Sequence, residues 1–281
     1  MRFGTTLFFA AALCAAACSL PSRVVVVQDD EQDSFKEALS GVKDLIPDVR
    51  SVLVKDGIAG IGAGDVVVAL GDQSAQADYP ASTRVVAALL ADPEQKIARA
   101  GSRVSSLPDA FCLMSKIHDL VPNLGTLAVF NTQDHFKSYI KYLGAAGFVT
   151  TTKVVSYPVN SPTDLITALR ALPGQAQALW LTPETALLDL ERFRLISSYC
   201  LANKIALIAP VTVLANSGAL AGVSPRFRDL GRAAAQTATD LANGKTAGPT
   251  VSTEKCEAFI NVDTAKALGF KVDSRDGTLV Q

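Results

Sequence analysis

The side chains best placed for chemistry sit in short polar loops, each at the end of an apolar run. Gln28-Asp29-Asp30 closes RVVVVQ, Gly71-Asp72-Gln73-Ser74 follows DVVVAL, and Asp92-Pro93 follows RVVAALL. Further along, Asn131-Thr132-Gln133 follows TLAVF, Thr182-Pro183-Glu184-Thr185 follows ALWL, and Pro210-Val211-Thr212 follows KIALIA. Amides, hydroxyls and carboxylates of this kind suit reversible hydrogen bonding to a small polar molecule, and loop amides at helix N-termini can hold a carboxylate. Any one such residue is more commonly a cap or a turn. Their recurrence after successive strands is what points to binding.

Catalytic constellations are not visible beside them. The two histidines, His118 and His135, have no serine motif with them, and His118 reads as a helical surface residue. No G-x-S-x-G elbow, Walker loop, HExxH or CxxC pair occurs, and no cofactor motif is found. In GIAGIGAGDVVVAL the glycines precede the strand. Counting six positions from Gly60 gives Asp65, and from Gly62 gives Val67, so the dinucleotide fingerprint fails on spacing and on order. The acidic run Asp29 to Asp33 lacks the alternating ligands and glycine of a calcium loop. A net charge of -1, without a basic run, excludes a general attraction to nucleic acid.

The loops need a scaffold, and the apolar runs supply it. RVVVVQ, SVLVKD, DVVVAL and RVVAALL read as strands, continuous in apolar residues as strands buried on both faces are. Phe35, Leu39, Val42 and Leu45 fall at helical spacing between the first two, with Asp33 as a cap. The pattern restarts with TLAVF and a helix bearing Phe136, Ile140 and Leu143. FVTTTKVVSY, ALWL and KIALIA follow as strands, with helices starting near Thr163 and Leu188 between them. GALAGV then reads as a short strand. SPRFRDLGRAAAQTATDLANG reads as a long helix capped by Ser224, with Pro225 in its first turn and Gly244 at its end. CEAFINV and DTAKALGF give a strand and a short helix, and DSRDGTLVQ a polar tail. The fold class expected is α/β, with two doubly wound Rossmann-like lobes joined by a hinge. Lobe 1 is expected over 18–118 plus about 218–248, and lobe 2 over 119–217 plus about 249–281. DLIPDVRSVLV (44–54) and DLVPNLGTLAV (119–129) echo one another faintly, as two similar lobes or as a common helix-to-strand connection.

The N-terminus reads as an export signal over 1–17, with Arg2 ahead of the apolar LFFAAALCAAA. AAAC at Ala15 to Cys18 resembles a bacterial lipobox, which makes Cys18 the lipidation site and the chain a membrane-anchored lipoprotein. Ala15 stands where leucine is usual, which leaves ordinary signal cleavage, or a retained anchor, as alternatives. Ser19 after the cysteine favours an outer membrane by the same resemblance. Cys112, Cys200 and Cys256 show no framework spacing and read first as buried small apolar residues, with a single bridge as the alternative.

In VVVALGDQSAQ, VVAALLADPE, ALWLTPETALL, GALAGVSPRFRDLGRAAAQTATDLANG and INVDTAKALGF, the order and spacing resemble the substrate-binding components of bacterial ABC importers. These have the type I periplasmic-binding fold, and the nearer subgroup includes binders of aromatic amino acids. The resemblance implies a ligand between the lobes and a periplasmic protein that partners an importer's membrane subunits. It implies that Asp72, Gln73, Ser74, Asp92, Asn131, Thr132, Thr182, Glu184 and Thr185 line the cleft, while Gln28, Asp29 and Val211 are candidates from their strand ends. Two positions depart from the pattern. Val211 stands where a polar contact is usual, and Gly101 to Ser105 reads GSRVS where T-G-V-S is usual. The expected function is therefore extracytoplasmic solute binding without catalysis. The alternative is a lipoprotein of the same fold serving as a sensor or interaction module.

Overall fold

The computed structural model describes residues 23–92, 97, 100–121, 123–132, 136–271 and 279–280. The expected export signal, Cys18 and Ser19 lie outside the described residues, as do Pro93, Gln133 and His135. The chain begins with β1 (Val24–Gln28), α1 (Asp33–Leu45), β2 (Arg50–Leu53), β3 (Val66–Leu70), α2 (Asp72–Gln76), β4 (Arg84–Ala88) and β5 (Ala100–Val104). It continues through α3 (Ala110–Leu120), β6 (Thr126–Asn131), α4 (Lys137–Val149), β7 (Lys153–Pro158), α5 (Pro162–Ala171) and β8 (Ala178–Leu181). Then come α6 (Thr185–Leu188), α7 (Leu190–Ala202), β9 (Ala206–Ala209), β10 (Ala221–Pro225) and α8 (Phe227–Ala242). The last elements are β11 (Thr250–Val251), β12 (Cys256–Ile260), α9 (Val262–Leu268) and β13 (Leu279–Val280).

These strands make two sheets, ordered β11-β5-β4-β3-β1-β2 and β13-β12-β10-β9-β8-β6-β7. The first is parallel throughout, and the second is parallel except where β10 meets β12. Both faces of each sheet are covered, which is why the strands are apolar without alternation. Along β3, Val66, Val68 and Leu70 enter one core while Val67 and Ala69 enter the other. In the second sheet, Leu127 and Val129 face one core, and Ala128 and Phe130 the opposite one. Complete burial of one such valine is worth roughly 1.5–3 kcal/mol, and every residue of β3 is buried. The result is two α/β lobes, each doubly wound.

The chain passes between the lobes at three places: after β5, between β10 and α8, and between β11 and β12. α3 packs into the second lobe's core, so the first crossing falls within residues 105–109 rather than at 118. β10 pairs with β9 and β12 and belongs to the second sheet, whereas α8 packs on the first lobe. Thr250–Val251 pairs with β5 and so remains in the first lobe beyond the expected 248.

Several local expectations change for identifiable reasons. Ser224-Pro225 has the chemistry of a helix start, but backbone pairing with Glu257 and Cys256 extends β10 through both, and α8 begins at Phe227. FVTTTKVVSY is a strand only from Lys153, because Phe148-Val149 ends α4 and Thr151 turns at φ 59°. Gly101 to Val104, in the stretch that departs from the family pattern, make up most of β5. Leu279–Val280, in the expected tail, pairs with β12. The helix expected near Leu188 is two, α6 and α7, broken at Asp189. The sequence echo relates β2, at a sheet edge, to β6, which has neighbours on both sides, so the two stretches are not equivalent in the lobes.

Cys112 and Cys256 form a disulfide, so they are not the buried free thiols that their spacing suggested. Both stand just past a crossing on the second-lobe side, one in α3 and one at the start of β12. Cys200 is the free cysteine among the described residues, and burial pushes its thiol up to about 12, which leaves it inert at neutral pH. His118 is half-buried rather than on the surface, with Nε2 2.7 Å from Thr152 Oγ1.

α1 and α8 pack backbone to backbone through Gly41 and Gly231. Asp44 clamps the pair, accepting from Arg228 Nε at 2.8 Å and Nη2 at 2.6 Å, and from Arg232 Nε at 2.7 Å. The Arg228 hydrogen bond, opposed by partial burial and aided by Arg232, holds the Asp44 carboxyl well below the usual carboxylate range. Because the folded value lies below the unfolded one, the clamp stabilises fully above about pH 4 and is lost as pH falls below it. Melting curves between pH 6 and pH 2 should therefore fall more steeply for the native chain than for Asp44→Asn.

Candidate functional site

The strand-end loops of the two lobes enclose a cavity of about 1350 Å³. From the first lobe come Glu31 to Lys36 at the start of α1, Leu89 to Ala91 after β4, and Phe227 and Leu230 of α8. From the second come Pro183, Thr185, Leu188 and Asp189 around α6, and Pro210 and Val211 after β9. Ser106 and Ser224-Pro225, on two of the crossings, lie where the lobes join. The wall is largely apolar, through Phe35, Leu89, Leu90, Leu188, Val211, Phe227 and Leu230. Polar and charged residues, among them Glu31, Asp33, Lys36, Thr185 and Asp189, complete the lining, and an apolar wall with polar groups is the usual make-up of a small-molecule site.

Thr185 and Val211 are the sequence-expected residues that line this cavity. Most of the others are tied into the loops themselves. Asp29 accepts from the backbone N–H of Gln73 at 2.8 Å and of Ser74 at 2.6 Å, so it caps α2 from the neighbouring strand. Ser74 is fully buried and its Oγ donates to the Gly71 carbonyl. Asp72 accepts from the Ala91 N–H at 3.3 Å. Burial raises its carboxyl above the usual range, with Asp29 and Asp92 adding repulsion. The Gln73 side chain is exposed outside the cavity wall.

The second lobe repeats the device in mirror order. Glu184, after β8, accepts from the Thr132 N–H at 3.0 Å and from Thr182 Oγ1 at 2.7 Å, and the Thr132 hydroxyl donates to it as well. Asn131 accepts from Ser156 Oγ and donates to the Thr132 carbonyl. Gln28 is buried at 7% exposure and faces a separate, smaller cavity of about 410 Å³ beside Arg50, Ser51 and Asp56. For Asp29, Asp72, Ser74, Asn131, Thr132, Thr182 and Glu184 the physical reason is the same, whereas the buried Gln28 Oε1 has no partner among the described residues. Carboxylates and hydroxyls beside unpaired loop amides find partners within the chain first, because a buried unpaired amide is costly.

The consequence is testable. Asp29→Ala should cost about 1–2 kcal/mol of stability by loss of the α2 cap, read as a lower melting temperature. Affinity for any cleft ligand should change little once the protein is folded.

Cavity residues that sequence reasoning missed lie at the crossings and at the start of α1. Ser224 is 6% exposed, and neither its Oγ nor that of Ser106 has a hydrogen-bond partner among the described residues. Thr253, in the third crossing, likewise carries a buried unpartnered hydroxyl. Ser224 read locally as a helix cap, and only the sheet order shows that these segments join the lobes. No group of three or more His, Cys, Asp or Glu that could hold a metal is present among the described residues.

Comparison with known proteins agrees with this architecture. The family model described as ABC transporter substrate binding protein matches residues 27–276. A tyrosine-binding protein of Clostridioides difficile is 26% identical over 227 residues, an alignment covering 75% of this chain and 65% of that protein's length. Among solved structures, a substrate-binding protein with adhesive properties from Clostridium difficile, in its ligand-free, open form, superposes with a TM-score of 0.64. The identity there is 18%, and the match covers 92% of this chain and 99% of that one. A Streptococcus pneumoniae ABC domain in complex with L-Trp superposes with a TM-score of 0.59 at 18% identity, covering 93% of this chain and 100% of that one.

Proposed function

The chain belongs to the ABC transporter substrate-binding protein family, and from that premise we propose that it is an extracytoplasmic lipoprotein that captures a small amino-acid-like molecule between its lobes for an ABC importer. The observation that carries this reading is the largely apolar cavity between the lobes, lined by residues of both. Segments joining two lobes at three places suit hinge closure, in which a ligand gains contacts from both walls only in the closed state. The Cys112–Cys256 bridge supports an oxidising compartment outside the cytoplasm. The anchor in this reading is a lipid on Cys18, and what supports it is the resemblance of Ala15 to Cys18 to a lipobox.

A thermal-shift screen against amino acids and related metabolites tests the binding. At least one compound should raise the melting temperature in a concentration-dependent way, and silence across the panel would count against it. Labelling with a radioactive fatty acid, compared between the native chain and Cys18→Ala, tests the anchor. Val211, which offers the cleft no hydrogen bond, favours a second reading, a sensor or interaction module of the same fold. Recovery in the inner-membrane fraction together with a permease would remove that alternative.

A further inference from the structure

Resting on the hinge-closure reading above, we infer that the Cys112–Cys256 bridge is a clasp on the hinge: it limits how far the ligand-free lobes swing apart, beyond its part in holding the second lobe together. The first and third crossings run side by side and are fastened at both ends. On the first-lobe side β5 pairs with β11, the Arg103 N–H donating to the Pro249 carbonyl at 3.0 Å and the Ser105 N–H to that of Val251 at 2.8 Å. On the second-lobe side the bridge joins Cys112 to Cys256, whose Cα atoms lie 6.0 Å apart. The middle crossing leaves from the same point, because Pro225, the last residue of β10, is paired opposite Cys256. All three hinge segments therefore depart from one fastened cluster.

Little chain is left to move between the fastenings. The third crossing has residues 252–255. The first has 106–111, and part of that is already held. Leu107 is buried in the second lobe's core, the Pro108 carbonyl accepts from the Tyr139 hydroxyl at 2.7 Å, and Asp109 accepts from the Phe111 and Cys112 N–H groups. Short segments tied at both ends bend together and cannot splay, which confines the lobes to a narrow set of orientations. Without the covalent tie, α3 and β12 meet by packing alone, and each carries its crossing separately. A cross-link acts most on the state with the most freedom, which here is the open one. A narrower open state has less freedom to lose when the lobes close on an occupant.

The test measures interlobe distances in the full mature chain, without ligand, by pulsed electron spin resonance between maleimide spin labels. One pair of labels is placed at Lys43→Cys and Arg170→Cys, and another at Lys55→Cys and Lys141→Cys; all are exposed positions, and each pair has one label in each lobe. Cys200 is buried and takes no label. In Cys112→Ser/Cys256→Ser the distance distributions should broaden and their means shift by several ångströms, as for a freed hinge. Leu143→Ala opens a cavity in the same core without touching a crossing. It should lower the melting temperature and leave the native distributions in place. Should the serine pair not fold, Cys112→Ala/Cys256→Val keeps the core apolar and takes its place. Superimposable distributions with and without the bridge, equal broadening in Leu143→Ala, or loss of folding in both bridge-free variants overturns the inference and makes the bridge a staple of the second lobe alone. None of these outcomes bears on solute binding, which the thermal-shift screen decides separately.

Discussion

Gly231→Ala is expected to lower the stability of this protein by about 1–3 kcal/mol, the usual cost of forcing atoms into a packed contact, and to disable the cleft with it. A Cβ on Gly231 would stand 1.9 Å from the Ala38 carbonyl oxygen, and one on Gly41 equally close to that of Arg228. Both obstacles are backbone, so α1 and α8 must separate; no side chain can turn aside. Alanine's better helix propensity, about 1 kcal/mol over glycine, offsets only part of this. The two helices carry Asp33 to Lys36, and Phe227 and Leu230, into the cavity wall, so their separation moves one side of the site. Gly144→Ala in α4 is the control. Its added Cβ meets nothing within 4 Å, and it should gain about 0.4–1 kcal/mol. Thermal melts of the variants decide the matter. Equal stability of Gly231→Ala and the native chain would contradict the close packing.

The second large effect concerns the bridge. Cys112→Ser/Cys256→Ser should lose about 2–5 kcal/mol, with the upper part of that range expected for a long closed loop, and here the two cysteines are 144 residues apart. Both ends lie in the second lobe's core, together with Trp180, the chain's single tryptophan, whose ring sits 5.4 Å from that of Tyr139. Trp180 fluorescence therefore reports the lobe in which the loss occurs. Its unfolding midpoint in urea should fall in the double variant, and by a similar amount in the native chain under reducing conditions. An unshifted midpoint would show that the core holds without the bridge.

The valine runs announced the fold because strands buried on both faces leave no polar alternation to confuse the reading. Val25 to Val27 and Val66 to Leu70 need no partner information to be recognised. Ser224-Pro225 did need it. Locally it is a helix start, and only the antiparallel pairing with β12, more than thirty residues further on, makes it a strand end at the cavity. Asp29 misled for the same reason. Nothing near it in sequence shows that the Gln73 and Ser74 amides, 44 and 45 residues away, will take its carboxylate. Of the strand-end residues singled out in the sequence, Thr185 and Val211 line the cavity between the lobes. The side chains left free there depend on which loops satisfy one another, a property of the assembled sheet. The disulfide is equally non-local, since 144 residues of separation carry no spacing signal.

The most direct test of the cleft as the binding site is a calorimetric titration of the native chain and of Val211→Trp with whichever panel compound raises the melting temperature most. Val211 is half-buried on the cavity wall, so a bulkier ring there would fill the space without cutting into a core. The native chain should bind one molecule per chain, and Val211→Trp should bind at least about tenfold more weakly, about 1.4 kcal/mol, at an unchanged melting temperature. Undiminished affinity in Val211→Trp would place the ligand somewhere other than between the lobes.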